Sequence, residues 1–460
     1  MKKTDISNCV SHLRKHGINL MVLLLLSINS YAQQEIMHFM SAVPQSARSN
    51  PAFFPEYGGH FAMLLPNVEL SLTHSGFRYS DLVVRLPNDS LFLDVRNAVA
   101  TMDDANLLRS SFSYEPFSFG FRVKNNYFSL SASPRVKLMA SYPKELFVLL
   151  TEGNAGFIGQ TVNIGNFDLV GNAWNEIAIG YSRRINDKLT AGVRLKHLTG
   201  IASTKIERST LSLHTDPHMY HLSLQTDLLA FSSVPGEEHY DIWKNTGYAL
   251  DFGISYKPIN RLTLQAGVTD LGRINWNTNT LNFRSNENST FSFEGFDLNE
   301  FFGSENGNEN GFSNLGDSLI AIFEPTEFKE EFQTNIGTRV YLSALYDLPA
   351  FGSAGIYFQH ESLGGSSFPS LGLIYYLPVG RVLNVAIAYS LHNFNMSNLG
   401  LGLNLNLGPL QFYAATGNVI APFLPQHAQT ASIQLGFNFL LDRARKEKPP
   451  HEQDEHETED

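Results

Sequence analysis

Cysteine is almost absent: Cys9 is the only one in 460 residues, and it precedes the apolar run INLMVLLLLSI (18–28). The chain beyond that run therefore has no disulfide, thiolate metal site or thiol nucleophile. Positive charge is scarce as well, with 33 Lys and Arg against 44 Asp and Glu and a net charge of −11. Such a chain is a poor match for nucleic acid, whose phosphates demand clustered cations. Residues 18–28 are too few to cross a bilayer as a helix, and no second long apolar run follows. A helical inner-membrane protein is excluded. A phosphate-binding glycine loop, a metal-spaced histidine pair and a dinucleotide fingerprint are also missing, so no cofactor is expected.

What is present begins with an export signal. Lys2, Lys3, Arg14 and Lys15 precede the apolar run, and the small residues Ser30 and Ala32 follow it. Residues 1–32 read as a signal peptide cleaved near Ala32. Removing its net charge of +3 leaves a mature chain at −14.

Alternation dominates the rest. In FSFGFRVKNNYFSL (117–130), Phe117, Phe119, Phe121 and Val123 share one face, while Ser118, Arg122 and Lys124 share the other. An Asn125-Asn126 turn joins this strand to the next. The pattern recurs around Asn186-Asp187, Pro258 to Asn260, Pro349-Ala350, Pro378 to Gly380 and Gly408-Pro409. A soluble sandwich also alternates, but its outer face would carry many more charges and fewer glycines. Here the polar face holds Gly, Ser, Asn, Gln and scattered charges, and short turns alternate with long polar loops. That is the pattern of an all-β transmembrane antiparallel up-and-down barrel with a polar lumen, in which closure satisfies every backbone polar group.

Six hairpins, an opening strand (61–74) and a closing strand (429–441) make fourteen strands. The arm IASTKIERS has no unbroken apolar face and reads as an extracellular projection; if it spans, the count is sixteen. Parity turns Arg122, Glu176, Arg184, Arg194, Lys196 and Asp251 toward the lumen. Trp174 and Trp276 fall at extracellular strand ends, and Tyr256, Tyr346 and Tyr376 near periplasmic ones, the places that interfacial aromatics favour.

SARSNPAFFP (46–55), ahead of the first strand, resembles the Asn-Pro-Ala motif of FadL-like barrels. YPKELFVLLTEGNAGFIG, GYSRRINDKLTAGVRLKHLTG and DFGISYKPINRLTLQAGVTDLGRINW are similar to an uncharacterised family of exported FadL-like barrels. The resemblance implies an N-terminal hatch (33–60) folded into the lumen, with Asn50, Pro51 and Ala52 in it, a barrel at 61–441 and a charged periplasmic tail at 442–460. An ordinary lead-in loop is the alternative for the tripeptide. The function implied is passage of hydrophobic small molecules across the outer membrane, with membrane lipid around the barrel. A second function class is a surface or secretion adaptor that binds a protein partner through its extracellular loops.

His360 and Ser362 in IYFQHESLGG supply the one hydrolase-like pair, on the lipid-facing side of a strand. Outer-membrane lipid hydrolases resemble it, but a serine nucleophile needs a base and a third group orienting that base. Glu361 has the opposite parity, so that reading is remote and no enzyme activity is expected. Residues 275–334 hold eleven Asp and Glu against Arg284 and Lys329 and read as an acidic extracellular loop without calcium-loop spacing. Residues 142–154 predict a short extracellular helix, with Pro143 suiting its start and Gly153 its end.

Overall fold

The fold is taken from a computed structural model. It describes residues 32–85, 87, 90–217, 222–235, 243–285, 291–293, 326–349, 351–392, 396–421 and 428–443. Fourteen antiparallel strands close into one barrel. They are β1 Tyr57–His74, β2 Ala105–Val123, β3 Asn126–Pro143, β4 Asp168–Arg184, β5 Leu189–Thr215, β6 Thr246–Ile259 and β7 Leu262–Trp276. The second half continues with β8 Thr338–Leu348, β9 Gly352–Leu363, β10 Ser366–Val379, β11 Leu383–His392, β12 Met396–Leu407, β13 Leu410–Thr416 and β14 Thr430–Arg443. β1 pairs with both β2 and β14, which closes the ring. The barrel thus begins four residues earlier and ends two later than the alternation placed it. Residues 1–31 and 444–460, and most of the acidic stretch, lie outside the described residues.

Alternation makes the wall two-faced. On β4, Ile177 and Ile179 are exposed toward lipid at 48% and 62%, whereas Glu176 and Ala178 are buried at 1%. The first hairpin differs by one residue from its expected turn: Val123 pairs with Asn126, and Lys124, not Asn126, takes a positive φ of 55° beside Asn125. At the opposite end, Leu363 pairs with Ser366 across Gly364-Gly365, whose φ values of 61° and 85° favour glycine.

β5 runs for 27 residues, while about 9–11 tilted residues suffice to span a bilayer. Its distal part pairs with Leu222–Ser233, so the arm that lacked an apolar face projects outside, as part of an extracellular sheet. The predicted extracellular helix spans Lys144–Glu152, with Leu149 packed toward Leu211 and Val162.

Two prolines interrupt the wall. Pro66 on β1 and Pro116 on β2 cannot donate to a ladder. The β1–β2 register skips from Met63–Phe117 to Asn67–Glu115 between them. The β1–β14 register skips at the same place, from Phe61–Phe439 to Val68–Leu435, and there Asn67 Oδ1 accepts from Phe437 N on β14.

Candidate functional site in the barrel lumen

The residues ahead of β1 lie inside the barrel. α1 (Ala32–Phe39) is followed by a tight turn at Pro44–Arg48, with proline at its first position where no N–H is required. Ile36, Phe39, Met40 and Val43 pack on an apolar patch of the inner wall that includes Tyr341, Tyr357, Ala386, Ala388 and Tyr413. A side chain at Gly402 of β12 would meet Ile36 at 2.5 Å, so glycine there makes room for α1. His38 sits among these rings, with Nε2 3.0 Å from Ser343 Oγ and Nδ1 3.3 Å from Ser49 O. Burial lowers its pKa to about 4, so it is neutral at pH 7.

Polar contacts fix the rest of the segment. Gln45 Nε2 donates to Glu115 Oε1 and to Asn438 Oδ1, each at 3.0 Å, and so bridges the wall where the prolines break it. Arg48 Nη2 donates to Ser113 Oγ at 2.5 Å. Asn50 Oδ1 accepts from Tyr341 Oη on β8 and from Ala52 N two residues on, both at 3.1 Å, which is a local Asx turn. Pro51 and Ala52 rest against Gly192 of β5 and Gly253 of β6. Below them, Ser182 Oγ donates to Phe53 O at 2.6 Å and Arg122 donates to Pro55 O at 2.9 Å. Arg184 lies over the Phe54 ring at 4.6 Å, in cation–π range. The structure therefore places Asn50, Pro51 and Ala52 in the lumen and both arginines around the segment's base.

A second layer of side chains crosses the lumen on the extracellular side of this segment. Arg109 on β2 and Glu361 on β9 meet at 2.6 Å, and Lys137 on β3 reaches the same carboxylate at 3.1 Å. Asp270 on β7 is paired with Lys196 at 2.5 Å and with Arg339 at 2.7 Å. Lys196 also holds Asp251 at 2.7 Å, and Arg135 approaches Glu176 at 3.3 Å. Arg194 lies 4.0 Å from Glu176, and Arg135 and Lys137 also reach Asp270 at 3.6 and 3.7 Å, so six cations and four carboxylates form one buried network. Breaking such pairs singly is costly, because it strands a charge in low dielectric. Of the residues that parity assigned to the lumen, Glu176, Arg194, Lys196 and Asp251 belong to this network.

Asp270 breaks the parity of its strand. Leu264 and Leu271 both face outward, although an odd spacing separates them. Asp270 takes a positive φ of 58°, and the β6–β7 register shifts between Leu250–Leu271 and Phe252–Val268. The resulting bulge turns Asp270 inward, where Asp251 Oδ1 accepts its backbone N–H at 2.7 Å.

Beyond the ionic layer an apolar cluster packs beside a buried Asn172–Ser203–Thr334 hydrogen-bond network. Trp174, Leu198, Ile274, Trp276 and Ile336 form one cluster with Phe332, and Trp276 Nε1 donates to Thr334 Oγ1 at 2.8 Å. Both tryptophans are fully buried, which corrects their expected place in an interfacial belt. Tyr376 also corrects, since it packs toward the α1 seat; Tyr256 and Tyr346 are exposed at 44% and 40%.

The hydrolase-like pair is not assembled. His360 Nε2 contacts Ser367 Oγ at 2.7 Å on the neighbouring strand, while Glu361 is turned inward to Arg109 and Lys137. No carboxylate is left to orient the imidazole from the same strand.

A family of unknown function (DUF5723) has a model that matches residues 51–417, which run from the lumen segment through β13. The chain belongs to that family. No curated protein matches the sequence of this DUF5723 member. Among solved structures, it is similar to a deltaS2S3 mutant of the TodX monoaromatic hydrocarbon channel, at 10% identity and a TM-score of 0.45 over 90% of this chain and 96% of that one. The Pseudomonas putida toluene transporter TodX gives 10% identity and a TM-score of 0.40 over 89% and 96%. A FadL homologue from Pseudomonas aeruginosa gives 10% and 0.37 over 88% and 95%.

Sequence reasoning missed Arg109, Arg135, Lys137, Asp270, Arg339 and Glu361 as one network. Parity alone reaches most of them as lumen-facing; only the closed ring tells which meet. For Asp270 the readable signal was the odd spacing between Val268 and Leu271.

Proposed function

We propose that this barrel passes small hydrophobic molecules across the outer membrane, with residues 33–60 as its hatch and Asn50, Pro51 and Ala52 at the hatch's fixed base. The observation that carries this reading is the apolar seat of α1. A barrel interior made only to enclose water has no need of an apolar patch. Here Tyr341, Tyr357, Ala386, Ala388 and Tyr413 form one, and a segment outside the sheet covers it. Each large apolar side chain of α1 gains roughly 1.5–3 kcal/mol from such burial, and an apolar ligand that took its place would gain comparably. The interrupted ladder at Pro66 and Pro116, bridged by Gln45, offers a side opening toward lipid once the segment moves. On this reading the segment and the ionic layer both restrict the lumen. Export through the signal at residues 1–32, with cleavage near Ala32, delivers the barrel to that membrane.

Native mass spectrometry and proteoliposome uptake of a fluorescent apolar probe test this, comparing the mature chain with one lacking residues 33–56. An apolar small molecule held on the uncovered seat of the deleted form, together with altered uptake, is the expected result. Unchanged uptake and an empty lumen in both proteins would sink it. A second reading, an adaptor that binds a secreted or surface protein, draws on the projecting β5 sheet. A stoichiometric protein partner, lost when the stretch 275–334 is shortened, would favour that reading instead.

A further inference from the structure

Between the lumen segment and the wall lies a cavity of about 40 Å³. Arg48 of the segment and Arg135, Lys137 and Arg339 of the wall line it, against one carboxylate, Glu69. The carboxylates that pair with the three wall cations are Glu176, Asp270 and Glu361, and none of them lines the cavity. Arg48 and Glu69 pair at 3.8 Å beside this space, so the three wall cations share it with one carboxylate that is already engaged, and the surrounding protein screens their charge far less than water would. About 10–15 Å³ of such volume holds one water, so the cavity admits an ion of one to a few atoms and nothing as large as a sugar acid.

We propose that this cavity binds a small monovalent anion of the size of chloride, bromide or formate, and that the anion fastens the lumen segment to the wall. The bound ion lies between Arg48 on one side and Arg135, Lys137 and Arg339 on the other, so it favours the docked segment over any state in which Arg48 has left. Ser111, opposite Lys137 in the β2–β3 register, supplies a hydroxyl to the same space. This inference concerns how the segment is held and does not depend on what, if anything, the barrel passes.

The test measures tryptic cleavage after Arg48 in the full mature protein, in sodium bromide or in sodium gluconate at equal ionic strength. Bromide at ten times its dissociation constant should slow cleavage about tenfold, since the ion stabilises only the docked state. Ser111→Asn should keep that response. Ser111→Asp, which tethers a carboxylate in the cavity, should be protected in gluconate and gain nothing from bromide. Equal cleavage of the wild type in both salts, or an undiminished bromide response in Ser111→Asp, overturns the proposal. Should Ser111→Asp not fold, anomalous scattering from bromide in crystals of the wild type decides. A peak among the four cations supports the site, and its absence overturns it.

Discussion

Arg109 and Glu361 stand on strands seven apart in a ring of fourteen, on opposite sides of the barrel, yet their side chains meet at 2.6 Å. Both are buried, and Arg109 also stacks over Phe368 at 3.7 Å. The pair is a crossbar: it ties β2 to β9 through the lumen rather than around the wall.

Removing one end of the crossbar should cost more than removing both. Glu361→Ala takes from Arg109 the carboxylate it meets at 2.6 Å and leaves Lys137 with Asp270 at 3.7 Å, and the expected loss is about 3–5 kcal/mol. The double variant Arg109→Met, Glu361→Met replaces the pair with apolar groups and should be less destabilised than Glu361→Ala. Urea unfolding of the detergent-folded barrels measures both; simple addition of the two single losses would contradict the crossbar.

If passage runs through the lumen as proposed, the segment and the ionic layer lie in series along it, so neither deletion alone should open a conducting path. In planar bilayers, a chain lacking residues 33–56 should show little more conductance than wild type. Combining that deletion with Glu361→Ala should give a clear rise. A large conductance from the first deletion alone would mean the ionic layer does not seal.

Gly192 faces the carbonyl of Pro51, and any side chain there would collide with it. Gly192→Val should leave the barrel folded, because valine suits a strand, but displace the segment. Heat-modifiable gel mobility should be retained while protease reaches Arg48. Continued protection of Arg48 would show that the segment is not seated at Gly192.

Acid should loosen α1. His38 has a pKa of about 4 when docked and about 6.5 when released, so the docked state binds fewer protons. Its contribution is fully present above pH 6.5 and is lost progressively as pH falls toward 4, by an amount approaching 3 kcal/mol. Cleavage at Arg48 should accelerate across that range under an acid-tolerant protease with a matching substrate control. His38→Phe should flatten the profile; an unchanged slope would assign it to another group.

Trp174 and Trp276 should escape quenching by brominated lipid, since both lie inside the barrel, whereas a lipid-interface belt would be quenched. Trp243, exposed at 69%, is replaced by Phe to remove its signal. Strong quenching of the remaining two would refute their placement.

Local alternation determined much of this protein by itself. Strand parity on β2, β4, β5 and β6 follows from a period of two and needs no partner. The number of strands follows from the spacing of turn residues, and Arg122, Glu176, Arg194, Lys196 and Asp251 are inward because their neighbours are apolar. Tertiary structure decided what parity cannot carry. Arg109 meets Glu361 only because closure brings strands 252 residues apart face to face. Asp270 is inward only because a left-handed residue slips the register by one, which turns a charge from lipid into a cage of cations. Trp174 and Trp276 fill the lumen because the ring leaves space there, a volume that no single strand defines. The seat of α1 likewise belongs to several strands at once, from β8 to β13, and comes into being only when the barrel closes around it.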